Sequence, residues 1–204
     1  MISIALPKGR LGRAALERMG GADGACTLEG QGRRLVLEDE ARNVRYFLVK
    51  PSDTAIYVEH GVADIGIAGR DVLLETRPDV YELHDLGFGR CSMAVAAPTG
   101  WHDARNAPLR IATTYPTCAR EHFDRKGRQI ETITLHGSVE LAPLVGLGDV
   151  IVDIVETGTT LRENGLEVLE EIAPLSARLI ANRSRYHFIR TAIERLTDPW
   201  RARS

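Results

Sequence analysis

Cysteine, aromatic residues, net charge and long apolar runs are all scarce in this chain, and each scarcity excludes a class of protein. The three cysteines, Cys26, Cys91 and Cys118, are odd in number and widely spaced. That pattern matches neither a disulfide framework nor a zinc ribbon, so they are expected to be thiols, mostly buried. The six histidines show no metal-ligand spacing with them. A net charge of −2 from 26 basic and 28 acidic residues, with 5% aromatics, leaves no overall footprint and no stacking platform for nucleic acid. Any anionic ligand has to be held by local clusters. Apolar stretches such as Val150-Ile151-Val152 and Ile65-Gly66-Ile67-Ala68 fall far short of the ~20 residues that span a bilayer, so no membrane association is expected. Met1-Ile2-Ser3-Ile4-Ala5-Leu6 has no basic leader and runs at once into Pro7-Lys8. It reads as a first strand and not a signal peptide, and the expected compartment is the cytoplasm.

What is present is a globular chain. At 204 residues with 44% hydrophobic content it can bury a real core, as one large domain or two small ones. Short strand-like runs alternate with helical spacing: Ile2 to Leu6, Tyr46 to Val49, Ala63 to Ala68, Cys91 to Ala97, Arg110 to Thr113, Thr132 to Leu135, Asp149 to Val155 and Leu175 to Ala181. Helices are expected over Leu11 to Met19, from a Ser52 or Asp53 cap to Gly61, after Gly69-Arg70-Asp71, over Cys118 to Lys126, from a Ser138 cap to Val145, and over Arg185 to Leu196. Repeated strand, turn and helix units predict an α/β architecture with mainly parallel sheets. The polar connection from Pro98 to Pro108 predicts two lobes. Ligands of open α/β sheets sit outside the carboxyl ends of strands, so a cleft between the lobes is expected.

The stretch "DIVETGTTLRENGL", residues 153 to 166, carries the strongest chemical signal. A mostly apolar strand ends in Glu156 and turns through Thr157-Gly158-Thr159-Thr160. Gly158 can adopt backbone angles closed to other residues, and inward amides and hydroxyls make a nest for phosphate oxygens. Thr160-Leu161-Arg162-Glu163 also matches a capping box, in which the threonine serves only the helix. Asp153 and Glu156 repel a plain phosphate. A ribose 5-phosphate suits both features, because its hydroxyls donate to carboxylates while its phosphate enters the nest; an Mg²⁺ contact is the weaker alternative.

On these residues the chain resembles the ATP phosphoribosyltransferases that begin histidine biosynthesis. The resemblance runs in order through "LPKGRL", "DIGIAGRD", "LGFGRCSMAVA", "YPTCAREHF" and "GSVELAPLVGLGDVIVDIVETGTTLRENGL". It implies a two-lobed fold like type II periplasmic binding proteins, with an interlobe active-site cleft. Residues 1–92 plus about 183–204 form lobe I, and about 93–182 form lobe II. It further implies that ATP and phosphoribosyl pyrophosphate condense with Mg²⁺ as cofactor. The phosphoribosyl pyrophosphate site would comprise Asp153, Glu156, Thr157, Gly158, Thr159, Thr160 and Leu161, and the ATP or pyrophosphate contacts Lys8, Gly9, Arg10, Arg70 and Glu140. Asp153, Glu156 and Lys8 are the expected catalytic residues. No protein metal ligand is assigned. Longer members carry a C-terminal histidine-binding domain. The chain resembles the short form, which implies a homodimer within a hetero-oligomer that includes a regulatory subunit related to histidyl-tRNA synthetases.

Elementary chemistry agrees with that resemblance. The attacking N1 of adenine has a free lone pair at neutral pH, so neither a Ser/His/Asp triad nor a strong base is needed, and the sequence offers no convincing triad. Displacement at the anomeric carbon needs in-line reactants, a neutralised leaving group and support for developing positive charge. Lys8 and Arg10 flank Gly9 after the first strand, and Arg70 opens a helix; Arg13, Lys50 and Arg90 are further cations, for each of which solvated surface charge is the plain alternative. Glu140 has two readings, a ligand contact or a first-turn acid on a helix dipole, and Tyr115 two, a cleft residue or a core tyrosine. Thr114 departs from the family, where Lys is common before Tyr-Pro, so no phosphate contact is assigned there. Two other functions fit parts of the pattern: a non-catalytic solute-binding or sensor module, permitted by the fold alone, and an ordinary phosphoribosyltransferase acting on a free base.

Overall fold

The first strand lies where the apolar run places it. The computed structural model describes residues 1–19, 34–104 and 106–201, and only the backbone of 198–201. β1 (Ile2–Pro7) sits inside a sheet of order β2-β3-β1-β4-β11-β5. β3 (Val44–Val49) and β4 (Ile65–Gly69) flank it in parallel; β2 (Val36–Asp39) is antiparallel to β3, and β11 (Ala177–Asn182) is antiparallel to both β4 and β5 (Val80–Asp85). One face buries Ile4, Leu6, Tyr46, Ile65, Ile67 and Leu179 with Ala15, Leu16 and Ile193 of helices α1 (Arg10–Arg18) and α7 (Arg183–Arg201). The other buries Ala5, Ala68 and Ile180 with Ala55 and Val58 of α2 (Thr54–Glu59). Strands covered on both faces have to be apolar throughout, which is why β1 and β4 were legible. Close packing of α1 depends on Gly12, where a Cβ would lie 2.0 Å from the Pro7 carbonyl oxygen. The buried Asp64 carboxylate accepts the Ser3 amide at 2.8 Å and the Ser3 hydroxyl at 2.7 Å, and pairs with Arg185 Nε at 3.0 Å. It thereby pins β1 and α7 to the start of β4.

A second sheet runs β10-β6-β9-β7-β8. β7 (Leu109–Thr113) lies parallel to β8 (Ile130–Thr134) and β9 (Val150–Val155), while β6 (Cys91–Pro98) is antiparallel to β9 and to β10 (Leu166–Leu175). In α4 (Pro116–Arg125), Cys118, Ala119, His122 and Phe123 are buried, the spacing of one helical face. Cys118, Ala119 and Phe123 pack against Met93, Val95, Ile111, Val150 and Val152. The opposite face holds Ala96, Ala112 and Ile151 with Ala142 of α5 (Leu141–Leu144) and Leu161 of α6 (Thr159–Glu163).

The chain divides into two units: Met1–Leu73, Arg77–Gly89 and Ser176–Ser204 form the first, Leu74–Thr76 and Arg90–Leu175 the second. In the second, the Glu75 carboxylate accepts the amides of Thr117 and Cys118 at 2.9 and 3.0 Å, where α4 begins. The division falls earlier than the expected 182/183 boundary. Leu175 to Ala181, read as one strand, breaks at Ser176, and β11 joins the first sheet between β4 and β5.

Several other expectations are corrected. Among the described residues four strand pairings are parallel and five antiparallel, so the sheets are mixed. β6 and β11 are central and largely buried, and their apolar runs resemble parallel strands. Neither Ser52 nor Asp53 caps α2; a 3₁₀ turn over Pro51–Asp53 precedes it, and the Ser52 hydroxyl donates to Asp53. Ser138 caps no long helix. It adopts a left-handed φ of 49° and its carbonyl receives the Leu141 amide at 3.2 Å, while α5 stops after four residues, with Pro143 withholding an amide. Cys118 is buried and Cys91 partly exposed, and neither forms a disulfide among the described residues; Cys26 lies outside the described residues.

Candidate active site

Because β7, β8 and β9 are parallel, their carboxyl ends share one end of the second sheet. Asp153 is half-buried near the end of β9, with Ala94 of β6 as its cross-strand partner. Glu156, Thr157, Thr159 and Thr160 are exposed beyond it. Gly158 has φ 70° and ψ 8°, a left-handed conformation that a side chain with a Cβ disfavours. The Thr157 and Thr159 hydroxyls are 3.0 Å apart. Thr160 lies inside α6, whose N-cap is Gly158 without a side-chain cap, so the capping box does not form. Leu161 differs from its neighbours: its side chain is 6% exposed and packs among Ile151, Val155 and Leu166. It anchors the turn, and only its backbone faces the loop. Glu140, half-buried, flanks α5 after the loop that follows β8. Tyr115 packs against the core beside α4, which favours its core reading.

Arg162 was missed. Its Nη1 donates to the Thr157 carbonyl at 3.1 Å and its Nη2 to the Thr159 hydroxyl at 3.2 Å. The Thr159 to Arg162 spacing of three on a helix was the available signal.

In the first unit β3, β1 and β4 are adjacent and parallel, so Lys50, Lys8 and Arg70 follow three neighbouring strand ends. Gly9 has φ 93° and ψ −153°, a region essentially restricted to glycine. Its carbonyl accepts the Arg13 amide, and the Lys8 amide donates to Val49 at 2.8 Å. Lys8, Gly9, Arg10, Arg13 and Lys50 are exposed and Arg70 is half-buried. The structure therefore groups Lys8, Gly9, Arg10 and Arg70 at one end of the first sheet, and Glu140 with Asp153 through Leu161 at one end of the second. Arg90 is an exposed residue of the second unit, just before β6. Among the described residues no group of three or more His, Cys, Asp or Glu could hold a metal ion, and no helix is long and apolar enough to cross a membrane.

Asp149 belongs to the opposite, amino end of β9. Arg110 hydrogen-bonds it at 2.6 Å through Nη2 and at 2.9 Å through its amide, which holds the Asp149 carboxyl below its ordinary range against the opposing effect of burial. Glu170 is pushed up by burial, yet hydrogen bonds from Lys126 and His122 bring it below its ordinary range. A folded-state carboxyl with a depressed pKa contributes stability above its unfolded value, near pH 3.9 for Asp, and loses it as pH falls through the folded value. Asp149→Asn should therefore lower Tm at neutral pH, and the gap from the parent should close as pH falls below about 4. A gap that stays constant in thermal melts down through that range counts against this role.

The fold defines the class first. The chain has the two-lobed fold of periplasmic binding proteins, matching the alkanesulfonate-binding protein SsuA from Xanthomonas axonopodis pv. citri, a structure bound to MOPS, at TM-score 0.61 and 12% identity over 98% of this chain and 71% of that one. The HisG: ATP phosphoribosyltransferase family model matches residues 50–201. An ATP phosphoribosyltransferase from Geobacillus kaustophilus is 52% identical over 199 residues, 97% of this chain and 96% of that protein. Another, from Clostridioides difficile, is 50% identical over 188 residues, 92% and 90% respectively. The ATP phosphoribosyl transferase (HisG:HisZ) complex from Thermotoga maritima contains a chain with TM-score 0.86 and 34% identity, covering 99% of this chain and 97% of that one. This chain belongs to the HisG family of ATP phosphoribosyltransferases.

Proposed function

We propose that this chain condenses ATP with phosphoribosyl pyrophosphate, giving N1-(5-phosphoribosyl)-ATP and pyrophosphate, the first step of histidine biosynthesis. The observation that carries the reading is the β9 end, where two acids and a left-handed glycine between threonines lie inside the residues matched by the family. In this reading Thr157 to Thr160 and the Leu161 backbone receive the 5-phosphate, and Asp153 and Glu156 accept from the ribose hydroxyls. Lys8, Gly9, Arg10, Arg70 and Glu140 serve ATP and the pyrophosphate.

Adenine N1 attacks the anomeric carbon with its own lone pair as the bond to pyrophosphate breaks. No proton needs to be removed for that step. Asp153 and Glu156, held near the sugar, stabilise positive charge as it develops there, and Lys8 offsets negative charge on the leaving group. Mg²⁺ fits this donor set in one way. No three-ligand protein cage is present among the described residues, whereas Mg²⁺ commonly binds substrate phosphates, water and one or two carboxylates, for which Asp153 and Glu156 are the candidates. When bound, it neutralises charge on the pyrophosphate.

The chain is further proposed to act in the cytoplasm as a dimer within a hetero-oligomer. Support for the partner comes from the Thermotoga maritima chain, which belongs to a HisG:HisZ complex; a regulatory subunit related to histidyl-tRNA synthetases is the kind expected.

The test mixes the chain with ATP, phosphoribosyl pyrophosphate, Mg²⁺ and a pyrophosphatase, with and without a candidate regulatory subunit, and measures phosphoribosyl-ATP. Calorimetry with each substrate separately accompanies it; binding of neither favours a sensor module instead. Mg²⁺ is expected to be obligatory. Full turnover after complete chelation of Mg²⁺ and Mn²⁺ would remove it from the mechanism.

A further inference from the structure

A phosphate oxyanion seated close to Asp153 and Glu156 needs an opposing charge. The cations assigned to ATP or pyrophosphate, Lys8, Arg10 and Arg70, all belong to the first unit, whereas the Gly158 turn belongs to the second, which also holds Arg90 just before β6 and carries Arg162 on the helix that follows the turn. The Arg162 guanidinium forks over this turn, with one arm on the Thr157 carbonyl at 3.1 Å and the other on the Thr159 hydroxyl at 3.2 Å. Its Nη1 also lies 3.2 Å from where a Cβ on Gly158 would sit, so the guanidinium borders the glycine itself. A guanidinium has five N–H donors. These two bonds use two of them, and the side chain is exposed.

We infer that Arg162 is a positioning residue and the phosphate cation of this loop. It holds the Thr157–Thr159 turn in its receiving conformation and directs further N–H donors to the 5-phosphate. The inference rests on reading Asp153 through Leu161 as the sugar-phosphate site. Its physical basis is the pairing of a planar, permanently charged fork with phosphate oxygens. A second consequence concerns the acids. With a fixed positive charge beside Gly158, the carboxylates of Asp153 and Glu156 near the sugar do not exclude its phosphate.

The test compares Arg162→Met, which removes charge and fork, with Arg162→Lys, which keeps charge and loses the fork. Calorimetry measures phosphoribosyl pyrophosphate, ribose 5-phosphate and ATP. In Arg162→Met the dissociation constants of both sugar phosphates should rise about ten- to a hundredfold, while that of ATP stays at the parent value. Arg162→Lys should recover part of the loss. Arg162→Met should raise KM for phosphoribosyl pyrophosphate by a larger factor than it lowers kcat, the split expected of an interaction made in the ground state as well as in the transition state. Equal weakening of ATP binding would show general damage to the fold and overturn the inference. Parental affinity for both sugar phosphates in Arg162→Met, with loss in Gly158→Val, overturns the role of Arg162 and leaves the loop reading standing. Parental affinity in both variants overturns the two together.

Discussion

Asp153→Asn and Glu156→Gln should each lower turnover by about ten- to a hundredfold, the cost of a lost charge-assisted hydrogen bond of roughly 1.5 to 3 kcal/mol. Both substitutions preserve shape and remove only charge. Asp153 is half-buried near the end of β9 and Glu156 is exposed one residue beyond the strand. Asp153 is therefore expected to show the larger effect, since an interaction screened by water is worth less. If the acids only bound the ribose hydroxyls in the ground state, affinity would fall and turnover would not. If they act on charge developing at the anomeric carbon, turnover falls with little change in affinity. Steady-state kinetics at saturating ATP and phosphoribosyl pyrophosphate, with melting curves as a folding control, separates the two. Parental turnover in both variants removes the acids from the mechanism.

Gly158→Val should weaken phosphoribosyl pyrophosphate binding by about tenfold or more, because two costs act on the same turn. A β-branched residue at φ 70° costs roughly 1 to 2 kcal/mol in backbone strain alone. Its Cβ also arrives 3.2 Å from Arg162 Nη1, which must give by a few tenths of an ångström, and 3.8 Å from Val155 Cγ1, while the added side chain shields the amides. ATP affinity, assigned to the cations of the first unit, should be unchanged. Calorimetry with each substrate reads this directly. Equal loss of both affinities points to unfolding, and no loss of either leaves Gly158 a turn residue only.

Gly9 and Gly158 show how far a motif can be taken into geometry. Each stands in a short run of basic or hydroxylic residues after an apolar strand, and each adopts a positive φ. That much follows from residue type, because a tight strand-to-helix turn selects glycine. Leu161 and Arg162 show the limit. Leu161 was expected at the phosphate site and Arg162 only within a capping box; in α6 the Leu161 side chain enters the core and the Arg162 side chain returns over the turn. A helix rotates successive side chains by about 100°, so a shift in its first residue exchanges inside for outside, and the capping box had suggested a different start.

Sequence alone determined the strands that had to be apolar on both faces, β1, β4, β7 and β9, and the residue types that stand at their carboxyl ends. Burial leaves few residue types to choose from, and glycine, acid and threonine at a strand end carry their chemistry with them. Tertiary structure decided the rest. β2 alternates exposed and buried positions but exposes Val36 and buries Asp39, while β5 and all but the ends of β10 are half-buried or exposed. These are edge strands of the two sheets, and they lack the continuous apolar run that marks a strand buried on both faces. β11 was legible as an apolar run, but its direction and its unit were not, since these depend on hydrogen bonds to β4 and β5, more than 90 residues earlier in the chain. The Arg162 fork belongs to the same kind: its residues are close in sequence, but its meaning comes from a left-handed turn that only the folded backbone displays.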